Sequence, residues 1–112
     1  MTKTIKREQI KEYLDHGKPL IIVEALPQKY YEAEHLPGAL NMPHDEIKLI
    51  APTSLPDKEA IIVVYCASTE CRNSRIATET LQKMGYTNVF EYVEGKQHWL
   101  QANYPVESCT CS

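Results

Sequence analysis

The chain has 112 residues, of which 43% are hydrophobic and 24% charged, and carries a formal net charge of -3. That size and balance fit one globular domain and exclude a disordered or fibrous chain. The slight acidity, with no basic cluster, excludes an electrostatic footprint for nucleic acid or an anionic membrane surface, and the longest apolar run, Ala60 to Cys66, falls well short of the roughly 20 residues that cross a bilayer.

In chain order, Met1 to Lys18 has neither an apolar h-region nor a small-residue cleavage site, so it is not read as a signal peptide and a cytoplasmic location is expected. Ile10, Tyr13 and Leu14 recur at helical spacing between Ile5 and His16, and Gly17-Lys18-Pro19 supplies a stop. Leu20 to Val23 is an unbroken β-branched run between prolines, the pattern of a strand buried on both faces and hence of a parallel sheet. Gln28 to Glu34 reads as a helical turn, Leu40 to Met42 as a brief strand, His44 to Ile50 as a short helix and Pro52 to Asp57 as loop. Ala60 to Tyr65 gives the strongest strand signal and is expected at the sheet centre. A polar segment from Cys66 to Asn73 then leads into a helix from Ser74 to Met84, with Ile76, Ala77, Thr80, Leu81 and Met84 on its buried face. Asn88 to Val93 reads as a strand and Gly95 to Ala102 as a last helix, with Trp99 in the core and its N–H needing one partner. Strands alternating with helices specify an α/β fold. One domain is expected over residues 1–108, followed by a flexible polar tail over 109–112.

Cysteines stand at Cys66, Cys71, Cys109 and Cys111, all in the second half of the chain, which suits free thiols better than a disulfide framework. Their spacing, with no histidine at ligand distance, matches no zinc module, so no metal is expected. Cys66 leaves the central strand and precedes a helix, where the helix dipole and loop N–H groups favour a thiolate and place it where open parallel sheets bind ligands. Position alone leaves a second reading open, because a cysteine at a strand end also serves as a small buried hydrophobe. Arg72 adds a cation at the far side of the loop, and Cys71 could attack an oxidised Cys66 as a resolving thiol. Cys109 and Cys111 are read as a frayed end, with sulfur relay or metal binding as alternatives. His35 is read as structural, His16, His44 and His98 as surface positions, and Tyr30, Tyr31 and Tyr86 as packed with exposed polar tips.

Glu24, Tyr31, His35-Leu36-Pro37-Gly38-Ala39, Tyr65-Cys66, Gly85 to Val89, Gly95, Trp99 and Pro105-Val106 stand in the order found in the rhodanese homology domain, which the chain resembles from about Ile5 to Val106. The resemblance implies a rhodanese-like fold with a central, mostly parallel five-stranded sheet flanked by helices on both faces. It implies sulfur transfer, in which Cys66 takes a sulfane sulfur from thiosulfate, a polysulfide or a persulfide and passes it to a thiophilic acceptor. The loop Ala67, Ser68, Thr69, Glu70, Cys71, Arg72 would bind the anionic donor through its amides, without a cofactor. The implied partners are that small anionic donor, a thiol or cyanide-like acceptor and a protein sulfur acceptor. A monomer is expected because no long exposed apolar stripe is visible.

Some features depart from the family pattern. Cys66 to Arg72 reads C-x5-R, resembling the rhodanese-fold phosphatases and arsenate reductases, although the flanking markers look like bacterial-type sulfurtransferases. Leu26 stands where the family usually has arginine, and Glu34 replaces the glycine before the histidine. An oxyanion enzyme and a non-catalytic persulfide carrier are therefore the alternative readings.

Overall fold

The computed structural model describes residues 3–108, so the expected tail over 109–112, with Cys109 and Cys111, lies outside the described residues. Five parallel strands form one sheet in the order β1-β5-β4-β2-β3, comprising β1 (Lys3–Thr4), β2 (Ile21–Glu24), β3 (Leu40–Asn41), β4 (Ile62–Tyr65) and β5 (Val89–Tyr92). Ile21 pairs with Ile62 and Ile62 with Val89, so the two most apolar runs lie side by side in the sheet interior. The residues alone mark four strands. β1 escapes that reading because Lys3 and Thr4 are exposed at the sheet edge and carry no apolar pattern.

Side chains alternate across the strands, which explains why the β4 run is apolar without a break. Ile62 and Val64 face α3 (Ile47–Ser54) and α4 (Asn73–Lys83), in a layer that includes Ile47, Leu55, Ala77 and Leu81. Val63 and Tyr65 face the other way, toward Ile10 of α1 (Arg7–Asp15) and Trp99 of α5 (Gly95–Gln101). The indole N–H of Trp99 donates to the Pro105 carbonyl at 2.9 Å.

Two helices differ from expectation. α3 starts later than expected and runs through Pro52, because burying Ile47, Ala51 and Leu55 outweighs the missing N–H. Its end is closed by the buried Tyr86 hydroxyl, 2.5 Å from the Leu55 carbonyl and 3.2 Å from that of Ala51, so the Tyr86 tip is not exposed. α4 buries Ser74, Ala77, Thr78 and Leu81 and leaves Ile76 43% exposed. The helix is rotated from the expected face because its polar groups are satisfied inside, with Thr78 donating to the Ser74 carbonyl at 2.7 Å and Ser74 to Glu91 at 2.8 Å.

A buried polar network fastens α5 and α2 (Gln28–Ala33) to the sheet. The Lys96 ammonium pairs with the fully buried Glu24 carboxylate at 3.1 Å and donates to the carbonyls of Tyr30 and Glu34. The Tyr65 hydroxyl donates to Glu24 at 2.6 Å and accepts the Leu36 N–H at 3.1 Å. Burial pushes the Glu24 carboxyl above its ordinary range, opposed by the Tyr65 hydrogen bond and the Lys96 charge. Removing one partner strands the other charge inside the protein, which costs about 3–5 kcal/mol. Lys96→Met is therefore expected to lower the unfolding free energy measured by urea titration by an amount in that range, while the double variant Glu24→Leu/Lys96→Met regains much of the loss.

Candidate active site

β4 ends at Tyr65, and Cys66 opens a loop that closes at the start of α4. The loop is pinned from beside. The N–H groups of Lys96 and Gln97 donate to the carbonyls of Cys66 and Ala67 at 2.8 and 2.9 Å. Gly95 permits this approach, since a Cβ there would lie 2.6 Å from the Cys66 oxygen and its φ of +74° belongs to the left-handed region. Inside the loop, the Cys71 N–H donates to the Ser68 carbonyl at 3.1 Å. Among the described residues, the N–H groups of Ala67, Ser68, Thr69 and Glu70 have no protein acceptor, so this stretch of backbone is free to bind an anion's oxygens.

Cys66 is fully buried. Its sulfur lies 3.4 Å from the Cys71 carbonyl, 3.5 Å from the Ser74 hydroxyl and 3.9 Å from the Ser68 carbonyl, and all three can accept a thiol proton. Burial pushes the thiol up to about 11, and the neighbouring Cys71 side chain adds to the rise. The hydroxyl and backbone N–H of Ser74, at the N-terminal end of α4, pull the other way. The expectation of a thiolate near neutral pH is thus corrected: the helix end acts in the expected direction, and desolvation overrides it.

The other loop residues sit around this sulfur rather than on it. Ala67, Thr69, Glu70 and Arg72 are exposed, Ser68 and Cys71 half-buried, and Cys66 and Cys71 are both free thiols. Arg72 opens with Arg75, Thr69, Cys71, Glu91 and Val93 onto a cavity of about 440 Å³. On the other side of the loop a second cavity, of about 320 Å³, is lined by Leu26, Tyr30, Glu34, Ala67, Ser68 and Lys96 among others. Leu26 and Glu34, two of the departures from the family pattern, therefore both lie on this second side.

Sequence reasoning missed Ser74 and Glu91. Glu91 is a carboxylate in the middle of the buried strand Val89-Phe90-Glu91-Tyr92, and that conflict between charge and burial was the available signal. His35 is structural as expected: its Nδ1–H donates to the Tyr31 carbonyl at 2.7 Å and its ring stacks on Tyr31 at 3.9 Å. His16 is exposed, whereas His44 and His98 are half-buried, with His98 Nδ1 held 2.8 Å from the Tyr92 hydroxyl.

The chain belongs to the Rhodanese-like domain family, which it matches over residues 6–102. It is 44% identical over 59 residues to the thiosulfate sulfurtransferase PspE of Escherichia coli (strain K12), covering 53% of this chain and 55% of that protein. It is 30% identical over 95 residues to the putative sulfur carrier protein YrkF of Bacillus subtilis (strain 168), covering 85% of this chain and 49% of that one. The chain thus spans about half the length of these curated relatives. The crystal structure of a thiosulfate sulfurtransferase from Pseudomonas aeruginosa superposes with a TM-score of 0.85 at 25% identity, covering 96% of this chain and 20% of that one. Among the described residues no helix is long and apolar enough to cross a membrane.

The contact of Gly95 with the loop can be tested directly. A left-handed non-glycine residue costs about 1–3 kcal/mol before any clash. Gly95→Ala is expected to lower the melting temperature and to loosen the loop. In the wild type, iodoacetamide should modify half-buried Cys71 well before Cys66, and in the variant peptide mapping should find that difference narrowed.

Proposed function

We propose that this chain is a rhodanese-type sulfurtransferase that moves sulfane sulfur from thiosulfate, a polysulfide or a persulfide to a thiophilic acceptor, with Cys66 as the carrier. The observation that carries the reading is the position of Cys66 in this family's fold: it follows the central strand at the head of a loop with four unclaimed N–H groups. The deprotonated Cys66 sulfur attacks the outer sulfur of thiosulfate, the S–S bond breaks, and sulfite leaves with the bonding pair, giving a Cys66 persulfide anion. An acceptor thiolate or cyanide ion then attacks the outer sulfur, and Cys66 leaves as the thiolate. No electrons enter or leave overall, and the chemistry needs no cofactor.

In this reading the amides of Ala67 to Glu70 hold the donor's sulfonate oxygens, and Arg72 supplies the neighbouring cation. Cys71 serves as a resolving thiol: its thiolate attacks the inner sulfur of the Cys66 persulfide, closing a Cys66–Cys71 disulfide as hydrosulfide leaves. The acceptor is a small thiol or a protein sulfur carrier, as the relatives named sulfurtransferase and sulfur carrier suggest. The protein acts in the cytoplasm as a monomer, with residues 1–108 forming one domain.

Mass spectrometry after thiosulfate treatment tests the assignment. One added sulfur is expected on the wild-type peptide that contains Cys66, and none at that position in Cys66→Ser. Hydrolysis of phosphate esters or reduction of arsenate, with no sulfur adduct, would instead assign the C-x5-R loop to an oxyanion substrate.

A further inference from the structure

Cys66 lies too deep to give its proton to solvent directly, and the loop amides that would bind a donor cannot accept one. A hydrogen-bonded path leads away from it. The sulfur is 3.5 Å from the Ser74 hydroxyl, which donates to Oε2 of Glu91 at 2.8 Å. Glu91 is itself buried, 4% exposed, and its second oxygen, Oε1, is the one buried side-chain nitrogen or oxygen without a partner among the described residues. The residue lines the cavity of about 440 Å³ together with Arg72 and Arg75. A buried carboxylate oxygen left unpartnered is costly, and such groups in native structures call for an explanation.

We propose that Ser74 and Glu91 form the proton relay of Cys66, with Glu91 as the positioning residue that receives the thiol proton through Ser74 and exchanges it with water through the cavity. This rests on the reading of Cys66 as nucleophile, and it adds where the proton goes. The transfer balances. The Cys66 S–H bond breaks and a new O–H bond forms on Ser74, whose original proton passes to Oε2 of Glu91. The products are a Cys66 thiolate, a neutral serine and a protonated Glu91. Both hydrogen bonds survive with their direction reversed, so Ser74 now donates to the sulfur anion and Glu91 donates to Ser74. The thiol holds one proton and can also offer it to the carbonyls of Cys71 or Ser68, so the relay runs when it points at Ser74.

The surroundings of Glu91 suit this role. From α4 and the loop, Arg72, Arg75 and Cys71 share its cavity. From the sheet, the positions beside it are Thr4 on β1 and Val64 on β4, neither of them charged, with Lys3 one residue along at the edge.

The test is the pH profile of single-turnover persulfide formation from thiosulfate in the wild type, Glu91→Gln, Glu91→Asp and Ser74→Ala. Gln keeps the shape and can still accept from Ser74, so it removes basicity with little change in packing. In Glu91→Gln and Ser74→Ala the rate near neutral pH should drop about 100-fold, the lower end of general-base effects. Their rates should converge on the wild type as the pH approaches about 11, where the thiol ionises unaided. Glu91→Asp should retain the wild-type profile shape.

A uniform loss at every pH would reduce both residues to a structural role and overturn the relay. An increase in Glu91→Gln would also overturn it, by showing that the carboxylate only repels the thiolate. A wild-type protein that forms no persulfide at any pH would sink the nucleophile assignment itself, a result distinct from active wild type with unchanged variants.

Discussion

The site depends on Lys96 acting at both of its ends. Its ammonium reaches down to the buried Glu24 carboxylate, and its backbone N–H donates to the carbonyl of Cys66. The first contact locks α5 onto β2, and the second transmits that lock to the loop that Cys66 opens. Gly95 lets the two backbones approach as closely as they do. A buried ion pair adds little net stability compared with an apolar substitute, so its value here is geometric: it admits one docking of the helix that carries the loop's anchor.

Burial decides the chemical state of Cys66. The thiol stands at about 11 instead of the ordinary 9.0 because burial, the largest cause, outweighs the lowering by the Ser74 hydroxyl and N–H at the helix end. Both the burial and the direction of the shift favour the thiol form of Cys66. In the proposed reaction the thiol proton needs a route out, and the Ser74–Glu91 pair is a hydrogen-bonded path from the sulfur to a carboxylate.

Much of the fold was legible because the residues that form the sheet announce themselves. The runs ending at Val23 and Tyr65 are apolar without alternation, and the structure buries both faces of both strands. The edge strand at Lys3–Thr4 and the passage of α3 through Pro52 were not legible, since the first carries no apolar signal and tertiary packing overrides local propensity in the second. The family markers led to Cys66, Gly95 and Glu24, but the partnership of Glu24 with Lys96 depends on residues far apart in the chain. The ionisation of Cys66 was misread because the sequence places a sulfur beside a helix end without revealing how deeply it is buried. Ser74 and Glu91 were invisible as a pair for a similar reason: they meet only when α4 packs on β5.

Titration of the Cys66 thiolate by its ultraviolet absorbance, taken as the difference between Cys71→Ser and Cys66→Ser/Cys71→Ser proteins, tests this account most directly. The account predicts that no Cys66 thiolate is present at neutral pH and that its absorbance grows toward about 11. A thiolate already fully formed at neutral pH would contradict it, because burial would then not govern the sulfur and no relay would be needed.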